Sequence, residues 1–240
     1  LILFPLPLLA DQISGTVYSD EGTTPLGGPT VHVWWWDGGT LNDGGTVVAD
    51  PSGNYTIANF GAAAAGDVLL VYLDGAPEAA ATVVVTDGND LAGIDLYQDH
   101  LIARDEEGAG IANSDFGNVD DQDPEDLYAE DGTGNLTVDN GIEFWVWTGD
   151  VFVPGGTVTT QGVGGDLTID VGATMDSAGN DATVAGSWLN QGTYTSGANL
   201  TTFNAGSGTA TITTGGTAAG QDFNDVTFDD GGGGATYELA

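Results

Sequence analysis

What most constrains this chain is the way glycine divides it. Forty of its 240 residues are Gly, and between them stand short apolar pulses rather than stretches with an apolar stripe of helical period. Short alternating or apolar runs bounded by Gly, Asp, Asn and Pro read as strands. The expectation is an all-β protein.

Four regions follow from the patterning. Residues 1–12 open with LILFPLPLLA, an extended apolar strand. It is too short to span a bilayer, has no positive n-region, and is barred from helix by Pro5 and Pro7. Leu rather than Met at position 1 implies a processed chain or a segment of a longer one. Residues 13–98 contain ISGTVYS, TVHVWWW, TVVAD-PSG-NYTI, DVLLVYLD, AATVVVTD and LAGIDLY, which read as a β-sandwich. The turn at Pro51, Ser52 and Gly53 is the clearest hairpin signal. Residues 99–150 hold 15 of the 36 acids and form a junction, with strands expected at its apolar ends and ordered loops between. Residues 151–240 turn to Gly, Thr, Ala and Asn with pulses such as DLTIDV, ATVAGSWL and TATITT, the pattern of a β-solenoid. About four coils are expected there, making a stub about 20 Å tall with no cap of its own.

The runs ISGTVYSDEGTTPLGGPTVHV, ADPSGNYTI, GDVLLVYLDG and LAGIDLYQDHLIARDE resemble the Ig-like, carboxypeptidase-regulatory-like modules of long bacterial surface and extracellular proteins. FWVWTGDVFVPGGTVTTQG, GSWLNQGTYTSG, TTFNAGSGTATITTGG and QDFNDVTF resemble the Gly/Thr-rich β-solenoid repeats that accompany them. The likeness covers residues 13–240 and departs at WWW and in the Pro-interrupted opening. It implies an Ig-like β-sandwich followed by a β-solenoid, an extracellular or cell-surface location, a structural or adhesive role, and no catalytic residues to carry over.

Charge narrows the function further. Arg104 is the only Arg, there is no Lys, and the formal charge is −35; phosphate neutralisation needs several cations, so nucleic-acid binding is excluded, as is a basic membrane-surface patch, and with the opening apolar run too short to span, no membrane insertion is expected. One Arg cannot pair many carboxylates, so salt or divalent cations must screen them. No Cys is present, which removes disulfides and thiolate chemistry. Asp120, Asp121, Asp123, Glu125, Asp126 and Asp131 offer oxygens at short alternation, suited to Ca2+, which takes six to eight oxygen ligands. They do not make an EF-hand, and the alternative is a solvated acidic loop. His32 and His100 lie in or beside strands with no Ser or Cys elbow, so they are expected to be structural. Chance carboxylate pairs are unavoidable among 36 acids, so a glycosidase dyad is not inferred.

On a strand, Trp35 shares a face with Val31 and Val33, while Trp34 and Trp36 share the other with His32. One face must be core; the exposed aromatics, Trp34 and Trp36, would meet a neighbouring subunit or stack on a sugar. Trp145 and Trp147 share a face and are expected over the first solenoid rung. Asn54, Asn135 and Asn199 begin N-x-T sequons. Leu1, Ile2, Leu3, Phe4, Leu6, Leu8 and Leu9 form an apolar strand that would be donated to another copy. The expected function is therefore a non-enzymatic subunit of an extracellular filament or surface layer, self-associating as a homopolymer. The alternatives are a calcium-dependent adhesin or carbohydrate-binding module with a polysaccharide partner, and a fragment of a polysaccharide-degrading β-helix enzyme.

Chelating divalent ions at low ionic strength is expected to lower the melting temperature by several degrees, because a ligand held far above its dissociation constant contributes about 2 to 4 kcal/mol. A calorimetric trace that does not move would remove the calcium reading.

Overall fold

The computed structural model describes residues 10–77, 79–120, 122, 127–216, 221–230 and 232–240. The apolar segment of residues 1–9, with its expected interface role, lies outside the described residues. The described elements are strands with one short helix, and no described helix is long and apolar enough to cross a membrane.

The first strands are β1 (Ala10–Tyr18), β2 (Thr30–Trp36), β3 (Leu41–Val48), β4 (Asn54–Ala63), β5 (Val68–Asp74), β6 (Ala80–Val85) and β7 (Leu96–Tyr97). One sheet has the order β4-β1-β7; the other begins β3-β2-β5-β6 with every neighbour antiparallel. Ile13 and Val17 from the first sheet meet Val33, Leu69 and Val71 from the second in one core. The hairpin expected at residues 50–55 forms, with Gly53 at φ +78°, where a side chain would be strained and would meet the Val17 carbonyl.

The chain then runs through β8 (His100–Asp105), α1 (Asn113–Val119) and β9 (Tyr128–Glu130) into coils. Three coils carry three strands each: β10 (Leu136–Asn140), β11 (Glu143–Val146) and β12 (Val151–Phe152); β13 (Val158–Gln161), β14 (Leu167–Ile169) and β15 (Thr174–Asp176); β16 (Ala182–Val184), β17 (Trp188–Asn190) and β18 (Thr193–Thr195). Two more described pairs follow, β19 (Leu200–Phe203) with β20 (Thr209–Thr213), and β21 (Asp225–Phe228) with β22 (Thr236–Leu239). Corresponding strands stack in parallel, giving a β-solenoid of about seven turns over residues 80–239. The register aligns like with like. Phe144 pairs with Leu101 and Leu167, Leu167 with Trp188, and Trp188 with Ile212, while Phe152, Met175 and Tyr194 form a second inward column. Stacking this close leaves no room at some turns: a Cβ on Gly192 would stand 2.2 Å from the Ala173 carbonyl oxygen of the coil before it.

The parallel stack reaches back well before residue 151. β8 pairs in parallel with β6 on one side and β11 on the other, so a single ten-stranded sheet runs β22-β20-β17-β14-β11-β8-β6-β5-β2-β3. The first coil is therefore not an open edge; the antiparallel strands extend it. This demands that β5 and β6 be buried on both faces. Leu69, Val71 and Leu73 face the N-terminal core, while Val68, Leu70 and Tyr72 face the core that continues through the solenoid. The uninterrupted runs VLLVYL and AATVVV suit strands covered on both sides.

What covers the second face includes a helix where loops were expected. α1 buries Phe116 and Val119 in the solenoid core, and Asp115 at its start accepts the Ala112 N–H at 2.8 Å. Trp35 packs on the N-terminal core, and Trp34, Trp36 and Leu41 pack half-buried against the solenoid core, following strand alternation.

Leu70→Ala is expected to cost about 2 to 5 kcal/mol, as for other fully buried leucines, although Leu70 precedes the coils, because it seats the solenoid core on β5. Val163→Ala, at an exposed turn, should stay within about 0.5 kcal/mol. Urea denaturation followed by Trp fluorescence measures both.

Candidate functional site

The three-stranded sheet covers only part of the long sheet. β7 is its last strand; among the described residues that sheet does not continue over β11, β14 and β17, while His100 and Ile102 on the outward face of β8 are buried. Parallel register puts His100 beside Glu143 and Ile102 beside Trp145 on that face. The same face carries Thr168 beside Trp145 and Leu189 beside Thr168. The step at β7 makes a cleft of about 360 Å3 whose lining includes Glu21, Glu143, Trp145, Asp166, Ser187 and Gln191. Glu21 comes from the turn after β1. There Asp20 accepts the N–H groups of Thr23 and Thr24, both at 2.8 Å, and the Gly22 backbone lies close to the Tyr97 ring.

Aromatic rings wall the step. Tyr97 lies 5.4 Å from Trp145 and 5.8 Å from Trp147, and His100 lies 5.5 Å from Trp145. Arg104 sits 5.5 Å over Trp147, paired with Glu106 and the Gly93 carbonyl.

His100 is buried, and its Nδ1 is 2.6 Å from the Gln98 carbonyl. A carbonyl only accepts, so Nδ1 carries the proton. Nε2 then faces Glu143 Oε2 at 3.2 Å. Burial alone would lower the His100 pKa, but Glu143, the Gln98 carbonyl and Glu21 together raise it above the ordinary value. Burial would raise Glu143, yet His100 and the Thr168 hydroxyl hold it below the usual range. Asp166, by contrast, is pushed up by burial although it accepts the Ser187 N–H at 2.6 Å. At the far end of the cleft's aromatic row, burial pushes Asp150 up to about 6, against the opposing pull of the Asp105 N–H and Arg104.

Of the residues expected to bind metal, only Asp120 and Asp131 are described. Asp121, Asp123, Glu125 and Asp126 lie outside the described residues. Asp120 accepts the Glu130 N–H at 2.7 Å, and Asp131 accepts from Thr133 and Asn135 within its own turn, which holds its carboxyl well below the carboxylate range. His32 lies between Asp43, at 2.9 Å, and Asp74, at 3.4 Å. Trp145 and Trp147 do lie on the outward face of an early coil. Glu21, His100, Glu143 and Asp166 come from four separate elements, and no spacing in the sequence links them.

No family model matches this chain, and no curated protein or solved structure matches it.

Asp150 sets a pH dependence. A carboxyl raised above its unfolded value of 3.8 contributes stability that is complete below that value and lost as pH rises through about 6. Asp150→Asn, which mimics the protonated form, should therefore gain on the parent by about 1 kcal/mol between pH 4 and pH 7. A half-exposed carboxylate delivers only part of what its shift implies. Urea midpoints across that range measure the difference.

Proposed function

We propose that this chain is a non-catalytic structural unit of an extracellular filament or surface layer, an Ig-like module continued by a β-solenoid, which joins to further copies through solenoid strands. The observation that carries the reading is the asymmetry of the stack. Its first coils are closed by the antiparallel strands, α1 and a double-sided core, whereas the outermost described rung is bare. Phe228 on β21 is 51% exposed and Leu239 on β22 is 77% exposed, with Val226 also exposed beside them. Each of these strands is last in its sheet among the described residues, so its outer edge would accept a further strand, whether of the same polypeptide or of another copy. The charge of −35 discourages non-specific contact and makes joining depend on screening.

The second reading is carbohydrate binding at the cell surface. It is favoured by one feature, the shallow cleft in which the Trp145 ring stands among Glu143, Asp166 and Gln191, an aromatic platform with polar groups beside it.

At high salt, the parent protein should form end-to-end oligomers or fibres visible by negative-stain microscopy. Phe228→Asp combined with Leu239→Asp should leave monomers with an unchanged circular dichroism spectrum. A parent protein that stays monomeric at every salt and protein concentration would contradict the proposal.

A further inference from the structure

We propose that Glu21, His100 and Glu143 form a binding site for a divalent transition-metal ion of the Zn2+ class, which staples the turn after β1 to the face of the solenoid. One ligand atom from each of the three residues lies within 4.8 Å of the others.

The argument rests on what faces His100 Nε2. His100 is only 7% exposed, and its Nδ1 proton is committed to the Gln98 carbonyl. In the neutral ring, Nε2 therefore presents a lone pair. It makes no hydrogen bond, although it stands 3.2 Å from Glu143 Oε2. A lone pair aimed at a carboxylate oxygen in a buried setting is repulsive unless a positive centre lies between them. That centre is either a second ring proton or a metal ion.

Three features favour the metal. Two ligands each about 2 Å from a tetrahedral ion stand about 3.3 to 3.5 Å apart, and the His100–Glu143 separation is close to that. Glu21 supplies a third oxygen from an exposed turn, where a change of rotamer closes the remaining distance. The outer hydrogen bonds are also those of a metal-binding histidine. The Gln98 carbonyl fixes the tautomer and ring orientation, and the Thr168 hydroxyl orients Glu143. The cleft beyond Glu143 leaves room for water at a fourth position. An imidazole nitrogen in the ligand set favours Zn2+ and its neighbours over Ca2+ or Mg2+, which take oxygen. This site is therefore distinct from any Ca2+ bound by the acidic junction.

The test is calorimetric titration of Zn2+ into the full chain in high salt with excess Ca2+, which saturates the exposed carboxylates. The expected result is one equivalent bound, with affinity at least tenfold weaker in both H100Q and E21Q and unchanged in D131N. Glu21 lies on an exposed turn, so weakening in E21Q cannot be ascribed to lost folding, and circular dichroism checks H100Q. Absence of saturation at one equivalent would overturn the proposal, as would parent-like affinity in either H100Q or E21Q. Equal weakening in D131N would show diffuse binding to the acidic surface and would overturn it as well.

Discussion

Burial of β5 and β6 on both faces is the constraint on which the rest of this structure depends. Each of these strands contributes alternate residues to two cores, and the same two strands connect an antiparallel arrangement to a parallel one. Parallel strands are ordinarily found covered on both faces. Here the cover on one side is the sheet β4-β1-β7, and on the other it is α1 with the inward columns of the coils. The solenoid is thereby seeded by a completed sheet rather than by a free edge, which removes the fraying expected of a short stack. The site follows from the same arrangement, since the cleft exists because the three-stranded sheet stops at β7 while the long sheet continues.

The acids are distributed in a way that lets so anionic a chain fold. Many act as turn staples, accepting backbone N–H groups one to four residues away: Asp50 with Ser52 and Asn54, Asp87 with Asn89, Asp131 with Thr133, Asp176 with Ala178 and Asp230 with Gly232. Such carboxylates are stabilised by local hydrogen bonds rather than by basic partners. Asp67, Asp115, Asp150 and Asp166 differ, since burial raises each of them despite the backbone N–H it accepts. Acidic composition is thus reconciled with folding largely by turn geometry.

Much of the architecture was legible in the strand and turn pattern. The hairpin around Gly53 and the opposite facing of Trp35 against Trp34 and Trp36 follow from local rules, as does the solenoid of residues 151–240. Other features depend on what packs against what. VLLVYL is compatible with any buried strand, and its second core becomes evident only once α1 and the coils are in place. α1 itself is short, carries Asp115 and Gly117, and buries only two large apolar side chains, Phe116 and Val119, too few to announce a helix. The site is less legible still. His100 reads as a structural histidine, and nothing in the sequence ties it to Glu21, nearly eighty residues away, or to Glu143 across α1 and β9.

Native-state hydrogen exchange tests the central claim most directly, because it reports the opening free energy of each strand separately. If β5 and β6 are shared by both cores, their amides and those of β8 and β11 should be among the slowest in the chain and exchange through one common opening with the same denaturant dependence. Exchange of β5 and β6 through an opening that leaves β8, β11 and β14 protected would contradict the account, since the two halves would then be independent units that merely touch.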